Sequence, residues 1–319
     1  MKKSLQLQAD MLDEYGACVF DVTLDCEDGA PVGGELEQAQ LVAELAVNTR
    51  TNSLLRNPLV EQRVGARLHP VGHPAFAQDV EIVAGRSAAA LSYIMIPKVE
   101  SRADVEQAVA ALDAVSQSRK TPLPVHVLIE SPAAVQQAFA IAAHPRVESV
   151  SFGLMDFVSA HGGAIGSEAM TVRSAADTST LDQFNHPLVV RAKLEIASAC
   201  HASGKTPSHC VVTELRDLQA LRRSAEHAAR AFGYTRMWSI HPDQIRPVLQ
   251  AFAPSAAQLE QAAQIIEAAV QQEWAPISVA GKLHDRASYR YFWQLLERAH
   301  QTGCTLPDSV RPWFAVDKF

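Results

Sequence analysis

The chain has 319 residues, 48% of them hydrophobic and 20% charged, so a large core fits within one domain. Its 28 basic and 35 acidic side chains leave a formal net charge of −7, with no basic run long enough to follow a phosphate backbone, which excludes nucleic acid as an expected partner. No stretch approaches about 18 unbroken apolar residues, MKKSLQLQAD carries no apolar signal core, and the five cysteines lack zinc-site spacing, so a reduced, cytoplasmic protein away from membranes is expected.

In chain order, short and nearly continuous apolar runs predict strands over 17–24, 65–68, 92–97, 125–129, 149–152, 209–213 and 236–240. Such runs suit strands buried on both faces. Helical spacing lies between them. Residues 101–116 turn Val105, Val109, Leu112 and Val115 inward, behind a start signal at Ser101 and Asp104, and residues 188–201 are closed by Gly204. Ser131-Pro132 marks another helix start just past Glu130. Strand and helix in strict succession give parallel βαβ units, and seven or eight of them favour a TIM (β/α)8-type barrel. Gly33-Gly34 lacks the spacing of a dinucleotide-binding turn, and there is no Walker loop. Beyond about residue 254 the pattern is helical, over 257–272 and 287–301. The division expected is a barrel domain, 1–253, followed by a C-terminal helical extension or lid, 254–319.

The strand ends carry the chemistry. The first run is followed by Asp25-Cys26-Glu27-Asp28-Gly29, the second by Arg67-Leu68-His69-Pro70, the third by Pro97-Lys98-Val99-Glu100. The next two runs end in Glu130 and Asp156. A strand ending in an acid, repeated one βα unit later, puts two hard oxygen ligands side by side at the carboxyl edge of a parallel sheet, where α/β enzymes hold divalent metals. Two carboxylates for Mg²⁺ beside an arginine fork suit a small 2-keto or 2-hydroxy acid. The reaction class this suggests is a reversible aldol or Claisen cleavage. Each residue also has a plainer reading: Glu130 and Asp156 as acids at helix starts, Arg67 as a structural bridge to Glu27 or Asp28, Asp285 as a helix N-cap. Cys26, between acids, is expected to be inert, and His241 to be a hydrogen-bonded core histidine.

The series D-x-E-D (25–28), R-x-x-P (67–70), I-P-K-V-E (96–100), I-E-S (129–131), F-G-x-x-D (152–156) and S-I-H-P-x-Q-I (239–245) resembles the HpcH/HpaI aldolase and citrate lyase family. It is most similar to the branch with citrate lyase β subunits, malyl-CoA lyases and citramalyl-CoA lyases. The resemblance implies a TIM-like barrel, Mg²⁺ held by Glu130 and Asp156 with Mn²⁺ an alternative, and substrate bound by Arg67 and Glu130. It implies that Glu27 and Asp28 form the acidic pair under the metal-bound waters. Gly281-Lys282-Leu283-His284-Asp285 matches a lid motif whose aspartate, here Asp285, exchanges a proton in a neighbouring subunit's site, so a homotrimer or hexamer is implied. Family members open with Arg-Ser, an apolar strand and Pro-Gly. Here Lys3-Ser4 precedes LQLQAD, so the first strand is expected to be missing or degenerate.

The function so implied is cleavage of a short β-hydroxyacyl-CoA, or a related hydroxy acid, to a 2-keto acid and an acyl fragment. The alternatives are a metal-dependent 2-keto-acid aldolase without CoA, an acyl-CoA thioesterase at the same site, and a non-catalytic binding or assembly subunit of a lyase complex. Ser208-His209-Cys210 stands where the lyases carry Asp-Gly, which bears on CoA recognition.

Overall fold

A computed structural model describes residues 1–29, 31–56, 61–116, 119–173 and 181–314. The chain forms two compact units. One comprises Met1–Ala9 and Phe20–Phe252, the other Asp10–Val19 and Ala253–Phe319.

The larger unit is built on seven parallel strands in chain order: β1 (Val22–Asp25), β2 (Val64–Arg67), β3 (Tyr93–Ile96), β4 (Val125–Ile129), β5 (Val147–Phe152), β6 (Thr206–His209) and β7 (Arg236–Met237). β2, β3 and β4 are buried at every position, as expected of strands covered on both faces. The sheet curls. Asp21, just before β1, pairs with Arg236 of β7 at 2.9 Å, while Arg63, just before β2, reaches Glu148 of β5 at 3.1 Å. Higher in the barrel, Thr23 of β1 shares a 2.6 Å hydrogen bond with Tyr93 of β3. These contacts cross the lumen and draw the sheet round into the TIM-like form expected.

No strand precedes β1 among the described residues; Lys2–Tyr15 is an α-helix. KKSLQLQADMLDEY contains no β-branched residue, and Leu5, Gln8, Met11 and Leu12 are buried at helical spacing. Gln8 donates to the carbonyls of Phe20 at 2.7 Å and Arg63 at 2.9 Å, so the start of this helix caps the amino ends of β1 and β2. Two predicted strands also shift. β6 ends at His209, and the apolar run that follows buries Val212 against Leu221, Ala225 and Val248 in a separate cluster rather than in the sheet. A short apolar run cannot by itself distinguish these fates. β7 is shorter than predicted, because the chain turns at Ser239 into a 3-10 helix, Pro242–Gln244.

The helix starts were legible. Ser101 forms a capping box with Asp104, and Ser131 caps a helix with Pro132 in its first turn. The smaller unit holds helices Ala256–Gln271 and Arg286–Gln301 with their own core, including Leu259, Ile266, Leu296 and Val310. Between them lies an antiparallel hairpin, β8 (Ile277–Val279) and β9 (Lys282–His284). Its two-residue turn needs positive φ at both positions, which Ala280 (50°) and Gly281 (74°) supply.

Candidate active site

Strand register sets the first half of the site. Asp25 and Arg67 are the last residues of β1 and β2 and are direct register partners, so their side chains leave the sheet on one face. The guanidinium grips Asp25 with Nε at 2.8 Å and Nη2 at 2.7 Å. Nη2 also reaches Asp28 at 3.1 Å and Nη1 reaches Glu27 at 2.8 Å. These four contacts leave one Nη1 hydrogen without a protein partner among the described residues. The Trp238 ring covers the guanidinium, 5.3 Å from its carbon. Asp25 folds the following turn by accepting the Glu27 amide at 3.0 Å. Cys26 faces the other way into the core, and burial pushes its thiol pKa far up, which matches the inert role expected.

Lys98 joins the two halves. Its backbone has φ 51°, uncommon for a residue with a side chain, and its amide donates to Glu130 Oε2, 2.7 Å away. Its ammonium lies 2.9 Å from Glu27 Oε1. Lys98 is thus ion-paired with Glu27 and not with its sequence neighbour Glu100, which accepts from Ser131 at 2.6 Å.

Glu130 directly follows β4 and is only 6% exposed. A Cβ placed on Gly153, just past β5, would stand 2.4 Å from Glu130 Cγ and Oε1, so the glycine is a condition of this carboxylate's position. Burial raises the Glu130 pKa to about 7, with the charges of Asp156 and Glu27 pushing the same way and the Lys98 amide opposing. Asp156 sits exposed in the first turn of the helix Leu154–Ser159.

This half of the rim is short of positive charge. A carboxylate whose pKa is raised by burial and, further, by a second carboxylate is a donor set that a hard divalent cation fits, since the ion would replace the proton and offset the repulsion. Among the described residues no three His, Cys, Asp or Glu side chains form a cage. An ion here would complete its shell with water and substrate oxygens, as Mg²⁺ does.

Asp285, in the smaller unit, is the N-cap of Arg286–Gln301, its Oδ1 accepting the Ala287 amide at 3.0 Å. His241 departs from expectation: its side chain is 44% exposed, and it caps the 3-10 helix through Nδ1. His209 and Cys210 are buried at the end of β6, His209 stacked on Phe184. Sequence reasoning missed Asp25 as the main partner of Arg67, Trp238 as its cover, and Gly153 as the neighbour of Glu130. Asp25 had a usable signal, as the acid that ends its strand, and Gly153 stood in the F-G-x-x-D motif.

A family model for HpcH/HpaI aldolase/citrate lyase matches residues 6–242. The chain is 44% identical to a citrate lyase of Burkholderia xenovorans LB400, whose crystal structure aligns with a TM-score of 0.81 over 98% of this chain and 92% of that one. An L-malyl-CoA/beta-methylmalyl-CoA lyase of Cereibacter sphaeroides is 28% identical over 293 residues, 88% of this chain and 87% of the relative. The citrate lyase beta subunit of M. tuberculosis, solved with oxaloacetate and magnesium, is 25% identical, with a TM-score of 0.55 over 79% of this chain and 94% of that one. The ordered motifs, the curled parallel sheet and these relatives agree: the chain belongs to the HpcH/HpaI aldolase/citrate lyase family of carbon–carbon lyases.

Proposed function

We propose that this protein is a Mg²⁺-dependent lyase that cleaves a short β-hydroxyacyl-CoA, or a related hydroxy acid, to a 2-keto acid and an acyl fragment. The observation that carries the reading is the buried Glu130, raised to about 7 with Asp156 as a second carboxylate beside it. Mg²⁺ bound there supplies a Lewis acid that draws charge from the keto oxygen. Glu130 and Asp156 hold the ion and fix the substrate's 2-oxo acid end. Arg67 donates its remaining hydrogen to the substrate carboxylate or keto oxygen, kept in place by Asp25. Glu27 and Asp28 accept hydrogen bonds from water at the rim, and Lys98 balances the Glu27 charge. Asp285, carried on a capped and therefore fixed helix start, delivers a proton to the acyl enolate in a neighbouring subunit, which makes the working form a homotrimer or hexamer. The reading places the protein in the cytoplasm, consistent with the free thiols of Cys26, Cys200, Cys210 and Cys304. No helix among the described residues is long and apolar enough to cross a membrane.

A CoA-free 2-keto-acid aldolase is the second reading, favoured by the buried His209 and Cys210 at the end of β6, 0% and 1% exposed. The test is turnover of L-malyl-CoA, β-methylmalyl-CoA and a 4-hydroxy-2-keto acid by the wild type and Glu130→Gln. Mg²⁺-dependent thioester cleavage that falls at least about a hundredfold in the variant is expected. Cleavage of the keto acid alone selects the second reading, and full activity of Glu130→Gln defeats both. Mixing Glu130→Gln with Asp285→Asn should restore part of the rate if Asp285 serves a neighbouring subunit.

A further inference from the structure

Beyond Arg67 the β2 ladder runs on, for the Leu68 amide donates to the Met95 carbonyl at 3.1 Å. Strand alternation then puts His69 on the same side as Arg67, with Leu68 buried on the other. One carboxylate oxygen holds His69 twice. Its backbone amide donates to Asp79 Oδ2 at 2.8 Å, and its ring Nδ1 lies 2.7 Å from the same atom. Asp79 is fully buried, and its Oδ1 has no hydrogen-bond partner. His69 is therefore the visible reason for a carboxylate in this part of the core. Asp79 also leads directly into a π-helical turn, Val80–Ala84, a rare geometry that recurs at functional sites.

With Nδ1 committed to Asp79, Nε2 is the working nitrogen. It has no partner among the described residues and is not sealed from solvent, His69 keeping 5% of its surface exposed. His126, inside the barrel, is the contrast: its Nδ1 is buried without a partner and its Nε2 is tied to Ser151 at 2.8 Å. The titratable groups facing the His69 ring are Asp79, His73, stacked 4.4 Å away, and Glu35, within electrostatic reach of both rings.

We propose that His69 is the base that takes the substrate's β-hydroxyl proton, with Asp79 as its positioning residue. The proposal rests on the lyase reading. Neutral Nε2 accepts the hydroxyl proton, the hydroxyl carbon becomes the keto carbon, and the bond to the acyl α-carbon breaks. The electron pair of that bond passes to the acyl enolate, which takes a proton from Asp285. One proton is taken up and one released, so exchange with water resets both groups and no further reactant is consumed. Asp79 keeps the proton on Nδ1 and favours the imidazolium as it forms.

The experiment is the pH profile of kcat/KM for L-malyl-CoA cleavage at saturating Mg²⁺, in wild type, His69→Gln, Asp79→Asn and Glu130→Gln. His69→Gln should lose about a hundredfold in kcat and the acidic limb of the profile, while binding oxaloacetate with Mg²⁺ within about threefold of wild type. Asp79→Asn should lower kcat and move the limb, because the ring then loses the carboxylate that holds its Nδ1 proton and its orientation. A His69→Gln enzyme with the wild-type rate and limb overturns the proposal. If that variant fails to fold by circular dichroism, an unmoved limb in Asp79→Asn overturns it instead. Loss of activity in Glu130→Gln with none in His69→Gln removes the proposal alone, whereas no turnover by the wild type removes the lyase reading and the proposal together.

Discussion

The two ends of the barrel rim solve the same electrostatic problem in opposite ways. At the β1–β2 end, three carboxylates meet the Arg67 fork and the Lys98 ammonium, so two cations within the protein offset all but one of the negative charges, and the exposed Asp28 is screened by water. At the β4–β5 end, burial raises Glu130 to about 7, Asp156 adds its charge, and only the Lys98 amide and the weaker pull of the Lys98 ammonium oppose them. The first end comes closer to balance from the protein's own charges than the second does. A protein leaves a buried carboxylate under-compensated where something else is to bring the positive charge.

The largest effect should come from breaking the better-balanced end. Arg67→Met strands Asp25 and Glu27 with only Lys98 to share, and removing one partner of a buried pair costs about 3–5 kcal/mol. Asp28, 76% exposed, adds little to that figure because water already screens it. Urea denaturation reads the loss. A cost below about 1 kcal/mol would mean that the fork is no more than a surface pair.

Gly153→Ala strikes the under-compensated end through shape. The new methyl would lie 2.4 Å from Glu130 Cγ, so the carboxylate must swing away. Overpacking of this kind costs about 1–3 kcal/mol, and displacing a ligand from its set position should weaken Mg²⁺ binding by about 10–100-fold. Calorimetric titration of Mg²⁺ in the presence of oxaloacetate measures it.

The third effect is a matter of protons. Glu130 in the folded chain has a pKa of about 7 against 4.5 as a free carboxyl. As pH rises between those values the unfolded chain gives up its proton first, so folding stability falls across that window. Saturating Mg²⁺ should restore it, since the ion takes the proton's place. Below pH 7 the apparent Mg²⁺ affinity should drop by about tenfold per unit, and above it stay level. An affinity indifferent to pH from 5.5 to 8, about the range buffers allow, would remove Glu130 from the ligand set.

How much of this could be read from the chain depends on how far apart the interacting residues lie. Glu130, Asp156 and Arg67 were legible because a strand's end is a local event, marked by where the apolar run stops. The Asp25 grip on Arg67 was not, because it follows from the β1–β2 register, which no single segment contains. Gly153 stood in a recognised motif, yet its reason is a side chain from the neighbouring strand. The His69–Asp79 pair depends on a loop doubling back, and nothing in the composition of that loop announces it. The family pattern made the first strand missing or degenerate, and it is missing among the described residues; what the pattern did not supply is the helix Lys2–Tyr15 in its place, which residues free of β-branching favour.

Lys98 gives the smallest effect and the sharpest discrimination, since its ammonium touches one end and its amide the other. Its ammonium serves Glu27, and its amide serves Glu130. Lys98→Ala removes the first and keeps the second, because alanine meets the same cost at φ 51° and the flanking strand still directs the backbone. The lost pair is half exposed, with the lysine side chain 45% accessible, so Mg²⁺ affinity should change by less than about fivefold. Cleavage should suffer more than binding, because Glu27 would face Asp28 with Arg67 as its only cation. A larger fall in Mg²⁺ affinity than in rate would mean that the ammonium supports the β4–β5 carboxylates directly, and that the two ends of the rim act as one charge network rather than two.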